Sequence, residues 1–360
     1  MPANKASPAL DTDNQVVACL GDGRTALERR PLPRPEAGEI LLKMRVVGFC
    51  GSDLFKLETG GALPGSVLGH ELIGEVIATG GGVTRFSDGD RVVVPHHVPC
   101  GECLLCRHGN ETMCDTFRVN LLEPGGFADN VLVRRRAAEL AAHRVPDHLA
   151  DEAAVFMEPA ACVLRGVRRG DVAAGGAAVV LGAGSMGLLH LLVLAAARPG
   201  CSVTVVDPLP ERRALAERLG AARTAALGVP AHDKVMASTD GIGADAVFDT
   251  VGGGEALSAA LALTRQGGSV VLFAHASEGK PAGFDLNTLF KYERRILGTY
   301  SAALKEQAEV FELLTSGALD PSPLVTHTMP LDDFADGVAL VRKHQALKVL
   351  FTPSRGAAGV

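Results

Sequence analysis

Cys100, Cys103, Cys106 and Cys114 follow one another as C-x2-C-x2-C-x7-C. Four thiolates so close in sequence can enclose one zinc ion tetrahedrally, with Zn–S bonds of about 2.3 Å and no exchangeable position, so the predicted site is structural. An iron–sulfur cluster would also take four cysteines, but neither a Cys-Pro ending nor a second cysteine set is present; a redox disulfide array is the other reading. A second signal is Gly182-Ala183-Gly184-Ser185-Met186-Gly187, directly after the apolar run Val179-Val180-Leu181. In GxGxxG the first glycine makes the tight turn, the second admits a pyrophosphate against the backbone, and the third lets helix and strand pack closely. The helix that opens there presents free N–H groups and a positive dipole end to phosphates. Asp207 ends the next apolar run, twenty residues after Gly187, where an acid accepts the adenosine ribose hydroxyls and repels a 2′-phosphate. Both features point to NAD; Arg212 and Arg213, just behind, keep NADP as the alternative. Three further fragments hold metal-ligating residue types: Cys50-Gly51-Ser52-Asp53, Gly69-His70-Glu71 and Met157-Glu158-Pro159. Each alone fits an ordinary structural role.

The elements that must position these residues fall into two kinds. From Gln15 to about Arg136, short β-type runs (QVVACL, EILLKMRVVGF, GEVIATG, DRVVVP, FADNVLV) are broken by glycine and proline, which predicts a β-rich domain with long loops. From about Asp151, apolar strands alternate with helices, the pattern of a parallel sheet covered on both faces. Two amphipathic helices, near Lys305–Thr315 and Leu331–Lys343, and a last strand, Lys348–Phe351, close the chain. With 360 residues, 47% hydrophobic and 21% charged, the chain can build two cores and is not disordered. The net charge of −6 has no basic stripe behind it, and Arg134-Arg135-Arg136 reads as solvated surface, so nucleic acid is not an expected partner. Met1 to Asn14 reads as a loose polar tail without the apolar core of a signal peptide. The longest apolar run, Met186 to Ala197, is too short for a bilayer and reads as a buried helix. A cytoplasmic protein is expected, in which reduced thiols bind metal rather than pair. Cys19, Cys162 and Cys201 read as small hydrophobes, His190 as a core residue, and His96 and His97 as loop or cleft residues.

Together these motifs resemble the zinc-dependent medium-chain dehydrogenases of the alcohol dehydrogenase superfamily, nearest in pattern to the polyol (sorbitol-type) and threonine dehydrogenase branch. The resemblance runs from about Gln15 to Phe351. It implies an α/β chain with a GroES-like β-rich catalytic domain (15–153 and 298–360) joined to a doubly wound, parallel-sheet Rossmann domain (154–297), and an active site in the cleft between them. It also implies two zinc ions per chain, one held by the four cysteines and one catalytic. By that resemblance Cys50, His70 and Glu71 bind the catalytic zinc, Glu158 completes the site directly or through water, and Ser52 passes a proton from the substrate oxygen. Val251, Gly252 and Ala274 fall where the family contacts the nicotinamide half, and Lys348 where a basic residue touches the pyrophosphate. Asp249 and Lys348 read equally well as surface or ion-pair residues. Many members carry a relay histidine five residues after the zinc cysteine; here that residue is Phe55. The expected activity is hydride transfer between NAD and a secondary alcohol or ketone, the substrate being a polyol, sugar, cyclitol or amino alcohol. A carbonyl or imine reductase using NAD(P)H is the alternative, and a non-catalytic nucleotide-binding protein the remote one. A homodimer or homotetramer with a small-molecule substrate and no membrane partner completes the expectation.

Overall fold

The computed structural model describes residues 13–275, 279 and 281–357. Its chain divides into two compact units, residues 1–97, 120–145 and 327–360 in one, and 98–119 and 146–326 in the other. The first unit is the expected β-rich domain. Its strand Ile40–Gly48 is buried along nearly its whole length and lies between antiparallel Glu71–Thr79 on one side and Lys348–Thr352 on the other. Arg91–Val94 and then His143–Arg144 extend the sheet beyond Glu71–Thr79. Phe49, Phe127, Phe334 and Phe351 pack ring to ring beside this sheet, with centroids 4.8 to 6.4 Å apart. Such edge-to-face contacts give a small domain a stiff apolar floor. Asp13 and Asn14, expected in the tail, instead begin the strand Asp13–Gly21, which pairs with Arg24–Pro31. Asn14 is held there because its amide exchanges hydrogen bonds with the backbone of Asn130. Residues 1–12 of the expected tail lie outside the described residues.

The second unit carries a six-stranded parallel sheet. Read across, its order is Arg223–Ala225, Ser202–Val206, Ala177–Leu181, Ala244–Asp249, Thr264–Leu272, Arg295–Gly298. Numbered from Ala177–Leu181 this is the order 3-2-1-4-5-6 of dinucleotide-binding folds, which reverses beside the first strand. The central strands are buried β-branched runs, as a sheet covered on both faces requires. Helix Met157–Gly170 packs on helices Ser185–Ala197 and Leu304–Thr315. Its Arg165 is buried and bonds the Gly109 carbonyl (2.9 Å), with the Glu111 and Glu306 carboxylates at 3.4 and 3.6 Å. The cysteine loop and residues 298–326, both expected in the β-rich domain, cluster with the parallel sheet, and Arg165 is one of the side chains that tie them there. The expected helix Leu331–Lys343 forms as a 3-10 turn, Leu331–Asp333, followed by Phe334–Arg342.

Candidate metal and dinucleotide sites

Strand register brings the first candidate site together. Gly48 pairs with Glu71, so Cys50 continues one strand past its end while His70 precedes the start of its antiparallel neighbour. Cys50 then caps the helix Gly51–Thr59. The ligating atoms of Cys50, His70 and Glu71 all lie within 4.8 Å of one another. Gly48 leaves the Glu71 carboxylate its place, since a Cβ there would displace the Glu71 oxygen. Lys348 arrives from the strand on the opposite side, where Leu350 pairs with Gly48. Its ammonium lies 2.6 and 2.9 Å from the two Glu71 oxygens and 3.4 Å from the Phe49 carbonyl, with Glu71 1% and Lys348 2% exposed. Between the surface and ion-pair readings of Lys348, the ion pair is the one observed.

Asp53, one turn into the helix, has a role that residue type and spacing alone do not reveal. It is fully buried, accepts the Cys50 N–H (3.2 Å), and faces His70 Nδ1 at 3.4 Å. Burial alone would raise the Asp53 carboxyl and lower His70. The mutual attraction of the pair outweighs it, holding Asp53 below its ordinary value and His70 well above. A carboxylate on one imidazole nitrogen fixes the ring and turns the other nitrogen toward a metal. Ser52 is half-buried in the same helix turn and Phe55 is on its exposed side. A sulfur, an imidazole nitrogen and a carboxylate oxygen make a donor set suited to zinc with a position left open.

His96 and His97 belong to neither ligand group, yet they lie beside this one. Leu72 pairs with Val94, which carries His96 alongside His70; their rings are 4.7 Å apart, and the His96 and His97 rings 3.6 Å apart. Burial, then the neighbouring His70 and His97, hold His96 well below the usual imidazole value, and burial with His70 and Lys56 pushes His97 down to about 4.

In the second unit Cys100, Cys103, Cys106 and Cys114 form the other group, again with all ligating atoms within 4.8 Å. Sulfur separations of 3.6 and 3.8 Å rule out disulfides, whose bond is about 2.05 Å. They match the edge, about 3.8 Å, of a tetrahedron with 2.3 Å metal–sulfur bonds. Backbone N–H groups of Cys100 and Cys103 point at the Cys114 and Cys100 sulfurs. For Cys114 burial opposes ionisation, but backbone donors outweigh it and draw the thiol down to about 6, while burial among the other thiols pushes Cys106 up to about 12. Four sulfurs at these separations, two of them met by backbone N–H groups, form a donor set suited to a cation. Glu158 lies in this second unit, buried in the first turn of helix Met157–Gly170, with the Cys162 thiol 3.4 Å from its carboxylate. Cys162 is therefore not only a small hydrophobe; Cys19 is buried and Cys201 half-buried.

The glycine turn is built as its spacing requires. Gly182 has φ +92°, and a Cβ on Gly187 would overlap the Gly182 carbonyl. Gly184, by contrast, meets no protein atom within 4 Å, so its missing side chain leaves space for a ligand. Ser185 begins the helix after Gly184, and its hydroxyl is buried without a partner, the kind of orphan a phosphate oxygen could satisfy. Met186 follows in the same turn. Asp207 accepts the Ala183 N–H (2.7 Å) and the Leu209 N–H (2.8 Å), which ties its strand end to the glycine turn. Arg213 is folded onto the Asp207 and Pro208 carbonyls, and Arg212 reaches toward the Ala183 carbonyl at 3.5 Å. Asp249 is neither surface nor ion pair. It is buried and accepts the N–H groups of Val251 and Gly252, both at 2.9 Å, because a chain turning at φ +83° leaves those donors otherwise unmet. Ala274 packs against Gly252 at the neighbouring strand end.

Two family models match the chain: the alcohol dehydrogenase GroES-like domain over residues 36–147, and the zinc-binding dehydrogenase over residues 186–316. Sorbitol dehydrogenase of Bacillus subtilis is 30% identical over 344 residues, covering 91% of this chain and 94% of its own. L-threonine 3-dehydrogenase of Caldanaerobacter subterraneus is 29% identical over 341 residues, covering 90% and 94%. The solved alcohol dehydrogenase TADH from Thermus sp. ATN1 superposes with a TM-score of 0.82 at 29% identity, covering 94% of this chain and 99% of that one.

Proposed function

As a member of the zinc-dependent medium-chain dehydrogenases, in the branch of the sorbitol and threonine dehydrogenases, this chain is an NAD(P)-linked dehydrogenase of CH–OH groups, and we propose that NAD is its acceptor and a polyol, sugar, cyclitol or amino alcohol its substrate. One observation above all supports this reading: a sulfur, an imidazole and a carboxylate converge within 4.8 Å in a chain that also builds a glycine turn and acid of dinucleotide-binding type. Cys50, His70 and Glu71 are the proposed holders of a catalytic zinc, with Glu158 as the further acid that the family resemblance supplies. The four cysteines are the proposed holders of a structural zinc, giving two per chain.

Zinc in such a donor set supplies an electrophile that polarises the carbon–oxygen bond of the substrate. The protein's own groups do the rest. Asp53 orients His70, and Lys348 offsets one of the two anionic donors. Ser52 offers a hydroxyl to carry the departing proton; with Phe55 in place of a relay histidine, that proton continues through Lys56, water, the substrate's hydroxyls or the cofactor ribose. The absence of an imidazole at position 55 is also what favours the second reading, a carbonyl or imine reductase on the same fold. Asp207 is proposed to receive the adenosine ribose and to disfavour the 2′-phosphate of NADP.

The proposed assembly is a homodimer or homotetramer through the outer edge of the parallel sheet. Strand Arg295–Gly298 ends that sheet, and Phe290, Tyr292 and Tyr300 are exposed around it; an open strand edge flanked by aromatics is a pairing surface. Among the described residues no helix is long and apolar enough to cross a membrane, and the cytoplasm, where the cysteine cluster stays reduced, is the proposed compartment. The test is a panel of polyols, amino alcohols and simple alcohols with NAD and NADP, read as nicotinamide reduction, beside ketones with NADH. Two zincs per chain and NAD reduction by a polyol or amino alcohol are expected. Cys50→Ser is expected to abolish turnover in a folded protein that keeps one zinc. Full activity in Cys50→Ser would end the assignment.

A further inference from the structure

Arg165 grips the cysteine loop at two residues that the backbone ties directly to cysteines. Its Nη2 donates to the Gly109 carbonyl at 2.9 Å and its Nη1 to the Glu111 carboxylate at 3.4 Å. The Gly109 N–H in turn donates to the Cys106 carbonyl at 3.1 Å, and the Cys114 N–H to the Glu111 carbonyl at 3.2 Å. Drawing the four thiols onto one ion therefore also fixes both anchors of the guanidinium. The residue after Arg165 is Gly166, which lets helix Met157–Gly170 pack on helix Ser185–Ala197 with no side chain of its own as a spacer. A Cβ built on Gly166 would lie 3.8 Å from His190 Nε2, with Thr299 and Phe273 at 3.5 and 3.6 Å. Nδ1 of the same imidazole donates to the Met186 carbonyl at 2.7 Å. Met186 belongs to the glycine turn and follows Ser185, whose hydroxyl has no protein partner. A run of direct contacts thus joins Cys106 and Cys114 to the first turn of the candidate phosphate-binding helix, all of it inside the second unit.

We propose that Arg165 is a positioning residue through which metal in the cysteine loop raises the affinity of the glycine turn for a dinucleotide. The inference rests on the structural-zinc and dinucleotide readings above and deepens them. With the loop closed on its ion, Arg165 holds helix Met157–Gly170 where Gly166 backs the His190 ring, and that ring holds the Met186 carbonyl. The N–H groups of the turn then already point where a pyrophosphate meets them. With the loop open, Gly109 and Glu111 lose their fixed places and the guanidinium loses two acceptors. The turn must then be ordered at the moment of binding, and that ordering is subtracted from the affinity. Linkage is reciprocal, so a bound dinucleotide also tightens the loop's hold on its metal.

The experiment is a double-mutant cycle on the zinc-loaded protein: wild type, Cys103→Ser, Arg165→Met and the two combined, each read by zinc content, thermal midpoint and calorimetric titration with NADH and with ADP-ribose. Arg165→Met is expected to fold, because Glu306 keeps Arg168 at 2.7 Å and the Ala303 N–H that it caps at 3.0 Å. Glu111→Gln weakens the same grip from the loop side, at a residue already partly exposed, and serves as the milder variant. Cys103→Ser, which leaves the loop without its metal, should weaken NADH binding by about 5- to 50-fold. Arg165→Met should do the same while retaining two zincs, and Glu111→Gln should fall between it and wild type. The combined variant should bind NADH no more weakly than the worse single one, since both break one path. ADP-ribose, which has the pyrophosphate but no nicotinamide, should lose affinity by the same factors. Multiplying losses in the combined variant, or ADP-ribose affinities that do not move, would overturn the inference. So would a lowered midpoint with wild-type NADH affinity in Arg165→Met and Glu111→Gln, which is what a merely structural role produces. A wild type that binds no NADH, or whose four cysteines take up no metal, refutes the underlying readings and the coupling with them, and both outcomes are visible before any variant is compared.

Discussion

Lys348 and Glu71 show how one side chain can decide what its neighbour is able to do. A carboxylate this deeply buried needs a positive partner, and Lys348 provides it at 2.6 Å. Removing one member of a buried ion pair costs roughly 3–5 kcal/mol because the other charge is left uncompensated. Lys348→Met is therefore expected to destabilise the metal-free protein by about that amount. With zinc bound, the metal takes over the neutralisation of Glu71, so the same substitution should cost distinctly less. Thermal unfolding of both forms, with and without zinc, checks this; equal losses in the two forms would show that Glu71 does not face the metal. His190 belongs to the same scale. It is fully buried in the helix Ser185–Ala197, its Nδ1 is bonded to the Met186 carbonyl, and Phe248 and Phe273 flank its ring. Burial pushes its pKa from 6.5 down to about 4. The folded state thus refuses a proton that the unfolded chain accepts, and stability present above pH 6.5 is lost as pH falls toward 4, by about 3 kcal/mol in all. His190→Leu should flatten that part of the unfolding-midpoint profile; an unchanged slope between pH 6.5 and 4 would refute it.

At the scale of elements, the glycine turn separates two reasons for having no side chain. Gly187 is required by its own fold, because the chain of Gly182 occupies the place of a Cβ. Gly184 is required by nothing in the protein, and its φ of −74° suits any residue. Gly184→Ala should then fold with an unaltered midpoint yet weaken NADH binding by at least tenfold, as the methyl enters the space for the pyrophosphate. Gly187→Ala should lower both the midpoint and binding. Nucleotide fluorescence titration beside thermal unfolding tells them apart, and normal NADH affinity in Gly184→Ala would remove the pyrophosphate from that turn. The metal group obeys the same logic of elements: a two-residue extension past a strand end meets the start of its antiparallel neighbour, so Cys50, His70 with Glu71 and, from the strand on the other side, Lys348 need only correct register to meet.

For the whole molecule, the open edge at Arg295–Gly298 has to be covered or tolerated. Coverage by a second copy predicts that light scattering finds a dimer or tetramer, and that Phe290→Asp with Tyr300→Asp shifts it toward monomer at unchanged zinc content. A monomeric wild type at micromolar concentration would reject the edge as an interface. The whole chain also answers how much was legible in advance. The β-rich and parallel-sheet halves were readable because strand alternation and β-branched runs are local signals. The membership of the cysteine loop was not. Its contacts include the one from Arg165, roughly sixty residues from the loop's centre, whose sequence context is an ordinary amphipathic helix.

The residue types and spacings alone determined the chemistry on offer: four thiols in one loop, a glycine turn followed by an acid, and three fragments with zinc-ligand side chains. Those are short-range patterns, and coordination and phosphate binding constrain them locally. Only the tertiary structure decided which groups stand next to those ligands. Asp53 behind His70, Lys348 on Glu71 and His96 beside the candidate metal group all follow from strand register and burial. Such contacts join residues far apart in the chain, and no local pattern records them.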